Sequence, residues 1–167
     1  ALEAFPDRPV LIDHFLENAY EFDVDAVADG EQVVIGGVMQ HIEEAGVHSG
    51  DSSCVLPPYT ITNEQFDMLT SFTKKLAKRL NVIGLLNIQY AMQNGNIYVI
   101  EVNPRASRTV PFVAKATGVQ LAQFATRIML GEKIQDLGIR DFSLSAKRVA
   151  IKESVFPFMK FQKANIF

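Results

Sequence analysis

Gln89, Glu101 and Asn103 are the residues whose types and spacing most suggest chemistry. They interrupt two β-type runs, Ile83 to Met92 and Ile97 to Val102, that are otherwise rich in Ile, Leu, Val and Tyr. Asn94-Gly95 between the runs predicts a hairpin. Strand periodicity puts Glu101 and Asn103 on one face. Gln89 joins them in only one register: a two-residue loop at Asn94-Gly95 sets it opposite Ile100, whereas a three-residue loop, Asn94 to Asn96, sets it opposite Glu101. The three-residue loop is the expectation here, because Gly95 or Asn96 can supply the left-handed residue it needs. Hard oxygen donors of this kind suit Mg²⁺, which is commonly held by one or two carboxylates together with substrate phosphates. Only Glu101 is charged, so the bare ion would bind weakly, and a nucleotide's phosphates would supply the missing negative charge. Metal and nucleotide should therefore bind together. Arg105 and Arg108 follow the second run, where guanidinium forks could face a transferring phosphoryl group. The competing reading is a polar sheet edge with two solvated arginines.

Other candidate groups point elsewhere. Glu21, Asp23 and Asp25 alternate with Phe22, Val24 and Ala26, and such acids are expected on the solvent side of an antiparallel sheet rather than around a metal. His41 and His48 flank an irregular stretch, but no third and fourth ligand at a familiar spacing accompanies them, so zinc is not expected. The single cysteine, Cys54, excludes an intrachain disulfide and a multi-cysteine metal site, and reads as a small buried hydrophobe in a reducing, cytoplasmic setting.

The elements that must position these residues follow from patterning. With 167 residues and 48% hydrophobic content the chain is long enough for one domain with a substantial core, and too apolar for disorder. Sixteen basic against 19 acidic residues leave a net charge of −3, and the densest basic group, Lys74, Lys75, Lys78 and Arg79, falls on one helix. Neither a nucleic-acid partner nor a membrane is expected. Val10 to Phe15, Phe22 to Val27 and Val33 to Val38 read as strands, the last two joined at Asp29-Gly30. Ala45 to Pro58 has no periodicity and reads as a long irregular loop. Thr62 and Gln65 make a capping-box pattern ahead of a helix from Asn63 to Leu80. Pro111 opens a short helix that Gly118 ends, Val119 to Leu130 forms another, and Lys147 to Val155 reads as a last strand. The order indicates an α+β fold with a largely antiparallel sheet. The opening on a strand, and the apolar residues of Phe161 to Phe167 with no element to join, suggest a segment of a longer protein.

Three stretches are more specific. His41-Ile42-Glu43-Glu44-Ala45-Gly46-Val47-His48-Ser49-Gly50-Asp51-Ser52, then Leu86-Asn87-Ile88-Gln89-Tyr90-Ala91, then Ile100-Glu101-Val102-Asn103-Pro104-Arg105-Ala106-Ser107-Arg108-Thr109-Val110-Pro111-Phe112 together resemble the large subunit of carbamoyl phosphate synthetase. The resemblance covers nearly the whole chain. The loop Gly46 to Asp51 and the segment Arg108 to Phe112 resemble the C-terminal synthetic half, which phosphorylates carbamate, more than the N-terminal half, which phosphorylates bicarbonate. The resemblance implies an ATP-grasp ligase fold, in which two α+β lobes clamp a nucleotide, with residues 1–167 a partial ATP-grasp domain corresponding mainly to the second lobe.

Site residues carry over from the resemblance by position. Gln89, Glu101 and Asn103 match ligands of two Mg²⁺ or Mn²⁺ ions that bridge the ATP phosphates, and Arg105 and Arg108 match arginines near the reacting phosphate and carbamate. Leu16 and Glu21 match contacts to adenine and ribose, while Gly46, Val47, His48 and Ser49 match the nucleotide-binding loop. Glu21, His41, Glu44, Val47 and Ser52 resemble a monovalent-cation site, commonly K⁺, to which His41 contributes through its main chain. The parent enzyme makes carbamoyl phosphate for arginine and pyrimidine biosynthesis, and its partners are a glutaminase small subunit and the rest of the large subunit. His14 departs from the pattern, standing where relatives often carry Lys near the adenine. The other lobe is absent, so the resemblance implies that this chain alone is inactive. The alternatives are a non-catalytic nucleotide-binding or interaction fragment, and an ATP-grasp carboxylate-amine ligase with another acceptor.

Overall fold

Asp29 and Gly30 form the turn that their types predict. The structure, a computed structural model, describes residues 10, 12, 14–47, 50–145 and 148–155. In it β1 (Tyr20–Asp29) runs antiparallel to β2 (Val33–His41). The Asp29 carboxylate accepts the N–H groups of Glu31 and Gln32, and Gly30 takes φ +88°, which a residue without Cβ adopts at little cost. β3 (Cys54–Leu56) pairs with β2, β4 (Ile83–Gln93) pairs with β1, β5 (Asn96–Asn103) pairs with β4, and β6 (Ala150–Lys152) pairs with β3. The result is one sheet in the order β5-β4-β1-β2-β3-β6 with antiparallel neighbours throughout.

Helices cover both faces. α1 (Asn63–Arg79) starts at the predicted capping box, in which Thr62 Oγ1 accepts the Gln65 N–H and Gln65 Oε1 accepts the Thr62 N–H. Its Leu69 and Ala77 pack on Phe22, Val24, Ile35, Leu86, Ile88 and Tyr90. On the other face lie α2 (Val110–Thr117), α3 (Leu121–Met129) and the short α4 (Ile134–Leu137). Val113, Leu121 and Ile128 from α2 and α3 pack there against Val27, Val34, Met39 and Leu56. The close approach of these helices depends on two glycines of β2. A Cβ on Gly36 would lie 2.5 Å from Leu121 Cδ2, and one on Gly37 2.7 Å from Val113 Cγ1. Gly36 is also the extra residue of a β-bulge, because Asp25 pairs with Gly37 while Ala26 pairs with Ile35.

Several expected elements are corrected. The hairpin loop at Asn94-Gly95 has two residues, both left-handed at φ +51° and +80°, with Gln93 opposite Asn96. The expected pairing of Gln89 with Glu101 nevertheless holds. Tyr90 pairs with Val99 and Gln89 with Glu101, so Ile100 is a bulge residue that makes up the missing step. The stretch Ala45 to Pro58 is not irregular throughout, since β3 lies inside it. Val10, Ile12, His14 and Phe15 form no strand, while Leu11 and Asp13 lie outside the described residues. Of the expected last strand only Ala150–Lys152 pairs, and Lys147 and the tail Phe161 to Phe167 also lie outside the described residues. Among the described residues no helix is long and apolar enough to cross a membrane.

Candidate active site

Period-two register gives the α2–α3 face of the sheet two unlike halves. One half is the apolar cluster beneath the helices. The other carries Glu21, Asp23 and Asp25 on β1, His41 on β2, Asn87 and Gln89 on β4, and Glu101 and Asn103 on β5, because Asp23 pairs with Gln89, Gln89 with Glu101, Asp25 with Asn87 and Asn87 with Asn103. The sequence expectation for the acids is corrected here. Glu21, Asp23 and Asp25 are not a solvated face but are buried, Asp23 and Asp25 to 0% exposure. Residues far along the chain cover them, and alternation within β1 carries no information about that cover.

Burial of these carboxylates is made tolerable by a continuous hydrogen-bonded network. His41 Nε2 lies 2.7 Å from Asp23 Oδ2, and Asn87 Nδ2 donates to both Asp23 Oδ1 and Asp25 Oδ1 at 3.0 Å. Ser107 Oγ donates to Asp25 Oδ1 at 2.8 Å and Thr109 Oγ1 to Asp25 Oδ2 at 2.6 Å, and the two hydroxyls stand 2.7 Å apart. Burial acts to lower the His41 imidazole, but the hydrogen bond to Asp23 and the neighbouring Cys54 more than offset it and raise it to about 10. The contact with Asp23 favours the protonated imidazole. Its Nδ1 faces Glu21 Oε1 at 3.8 Å. Burial pushes the Asp25 carboxyl up to about 6 against the pull of the Thr109, Asn87 and Ser107 hydrogen bonds, and the Asp23 charge adds to the rise.

The metal-ligand candidates stand at the open end of this network. Gln89 is buried and lies opposite Glu101, whose side chain is exposed, and Asn103 is half-buried, with its Oδ1 accepting from Arg105 Nη2 at 3.2 Å. Among the described residues no three His, Cys, Asp or Glu side chains form a metal-holding group. One exposed carboxylate flanked by two amides on one sheet face is instead a donor set for a hard cation that arrives with anionic oxygens of its own. Mg²⁺ or Mn²⁺ accompanied by phosphates is the kind of ion such a set could hold.

The loop after β2 folds back over β1. Ala45 N–H donates to Ala19 O at 3.0 Å, and Gly46 N–H donates to Glu21 Oε2 at 3.2 Å with Gly46 at φ +115°. Ser52 Oγ donates to Val47 O at 3.2 Å, and Lys152 on β6 donates to Ser52 O at 2.6 Å. Of the residues expected at a monovalent cation, the structure thus groups Glu21 with His41 and Val47 with Ser52, while the Glu44 side chain is exposed. Leu16 is half-buried just before β1, and His48 and Ser49 lie outside the described residues. Gly50 gives Arg108 its place, for a Cβ there would overlap the guanidinium. Asn87, Ser107, Thr109, Asp23 and Asp25 were not in the expected site. Their signal was present in the acids at positions 21, 23 and 25, but the side-chain partners of Asp25 are 62 to 84 residues away in sequence.

Comparisons with known proteins agree with this arrangement. Residues 1–137 match the family model described as the carbamoyl-phosphate synthase L chain, ATP binding domain. The chain is similar to the carbamoyl phosphate synthase large chain of Archaeoglobus fulgidus, 59% identical over 96% of this chain and 15% of that protein. It is also similar to the C-terminal section of the carbamoyl phosphate synthase large chain of Methanocaldococcus jannaschii, 54% identical over 96% of this chain and 27% of that protein. The chain thus spans 15% to 27% of the length of these relatives. Among solved structures, the biotin carboxylase domain of a single-chain bacterial carboxylase superposes with TM-score 0.70 at 18% identity, over 82% of this chain and 33% of that one. The biotin carboxylase domain of a thermophilic 2-oxoglutarate carboxylase bound to ADP gives TM-score 0.62 at 22% identity, over 76% and 28%. These likenesses bear on fold alone, and they support the α+β ATP-grasp lobe expected from the sequence.

Proposed function

The chain belongs to the carbamoyl-phosphate synthase large-chain ATP-binding family, and from that premise we propose that its polar sheet face is one side of an ATP site at which carbamate is phosphorylated. The observation that carries the reading is the alignment of Gln89, Glu101 and Asn103 on one face, with Arg105 and Arg108 on the segment that follows. In the reaction, the bond from the γ-phosphorus to the ADP oxygen breaks and a bond from that phosphorus to a carbamate oxygen forms, giving ADP and carbamoyl phosphate. The transferred group is metaphosphate-like, so the protein needs no covalent nucleophile and must position and stabilise charge. Arg105 and Arg108 meet the charge that spreads over the transferring oxygens and the carbamate. Gln89, Glu101 and Asn103 would hold two Mg²⁺ or Mn²⁺ ions, which when bound neutralise phosphate charge. Leu16 and Glu21 would contact adenine and ribose, and Gly46, Val47, His48 and Ser49 would line the nucleotide loop. Glu21, with Val47, Ser52, Glu44 and the His41 carbonyl, would hold K⁺ beside it.

The reading places the chain as a partial ATP-grasp domain in a cytoplasmic large subunit that works with a glutaminase small subunit in arginine and pyrimidine biosynthesis. Phosphoryl transfer needs positioning from both lobes, so the test belongs in the full-length protein that carries this segment. Glu101→Ala there should abolish ATP formation from ADP and carbamoyl phosphate. Wild-type rates in that variant would refute the assignment.

A further inference from the structure

The segment Pro104 to Thr109 carries both arginines yet has no regular structure of its own between β5 and α2. Arg108 sits between two hydroxyl residues, Ser107 and Thr109, that both reach the sheet. Both donate to a single carboxylate, Asp25, at 2.8 and 2.6 Å, and that carboxylate is fully buried on the central strand β1. Asn87 on β4 braces Asp25 Oδ1 from the adjacent strand. Thr109 is itself 1% exposed and stands at the N-cap of α2, where its side chain makes no capping bond, so its hydroxyl is committed to Asp25 rather than to the helix. On the far side, the Arg108 guanidinium rests against Gly50, where any Cβ would overlap it.

We propose that Asp25 is a positioning residue for phosphoryl transfer: by anchoring Ser107 and Thr109 it fixes the backbone on either side of Arg108 and aims that guanidinium, which rests against Gly50, at the reacting group. This rests on the reading of the site given above and adds a residue that touches neither nucleotide nor metal. Hydroxyl donors on both sides of one residue restrict where its side chain can leave the backbone, and a displacement of about 1 Å at a catalytic group can cost on the order of 100-fold in rate. Because Arg108 faces the transferring group rather than the adenine or ribose, the loss should fall on kcat and leave nucleotide binding intact.

The test is a kinetic cycle in the full-length protein, using ADP and carbamoyl phosphate as substrates and reading ATP. Asp25→Asn and Thr109→Val should each lower kcat at least about tenfold while KM for ADP stays within about threefold, and the double variant should lose no more than the worse single, since both act through one contact. Should Asp25→Asn fail to fold, Thr109→Val and Ser107→Ala are expected to show the same split. Unchanged kcat in the folded variants, additive losses, or a rise in KM for ADP parallel to the fall in kcat would overturn the proposal. A wild-type protein that forms no ATP would refute the reading of the site and this inference with it, whereas an active wild type with indifferent Asp25 and Thr109 variants refutes this inference alone.

Discussion

The two faces of β1 are equally buried and held by unlike forces. Phe22, Val24 and Ala26 face α1 and are 0% exposed; Asp23 and Asp25 face the other way and are also 0% exposed. The first set needs only close packing, and α1 supplies it through Leu69 and Ala77. The second set needs a named partner for each oxygen, and those partners come from three separate places: His41 on β2, Asn87 on β4, and Ser107 and Thr109 before and at the start of α2. A packed face tolerates substitution by residues of similar volume, whereas a buried charge network tolerates almost none. In the proposed function, the rigidity of the second face would hold still the residues at its open end, Gln89, Glu101, Asn103 and Arg108.

The sharpest way to break the comparison is to remove one residue from each face. Phe22→Ala should cost about 3–5 kcal/mol through lost burial and a cavity. Asp23→Ala should cost a similar amount, about 3–5 kcal/mol, by leaving His41 without its partner. Urea denaturation across pH separates the two mechanisms. The Phe22→Ala loss should be constant from pH 5 to 9. The Asp23→Ala loss should shrink as pH rises, because the stranded imidazole can then shed its proton.

A second, smaller effect comes from pH alone. Asp25 is raised from 3.8 to about 6 by burial, so the folded state holds its proton more tightly than the unfolded chain does. Its contribution is complete below about pH 3.8 and is lost as pH rises to about 6, a change on the order of 3 kcal/mol. His41, raised from 6.5 to about 10, acts in the same direction over the next window, from about 6.5 to 10. The stability of the wild type relative to Asp25→Asn should therefore fall as pH rises from about 4 to 6. A difference that stays flat or grows over that window would contradict this. The smallest effect belongs to the packed face: Thr62→Ala removes one half of the α1 capping box and should cost about 1 kcal/mol with no pH dependence, as thermal melts at two pH values would report.

The legibility of the molecule in its sequence divides along the same line. The capping box, the Asp29-Gly30 turn and the α2 stop at Gly118 depend on residues within a few positions of one another, and each was readable. The pairing of Gln89 with Glu101 was readable in outcome but not in cause, because a bulge at Ile100 depends on how β5 meets β4 rather than on the turn. The burial of Asp23 and Asp25 was not readable from alternation. Period two separates Phe22 from Asp23 but does not say which side a later segment will cover, and Ser107 and Thr109 lie 82 and 84 residues beyond Asp25. Family resemblance marked the residues expected to touch ligand and left out Asp25 and Asn87, whose hydrogen bonds go to other side chains.

The central claim is that the open end of the polar face binds nucleotide and metal together. Isothermal titration of the full-length protein with ADP, with and without Mg²⁺, beside Glu101→Gln, tests it directly. The account predicts that the wild type has one more magnesium-dependent ADP site than the variant. Equal stoichiometry and equal magnesium dependence in the two proteins would contradict it.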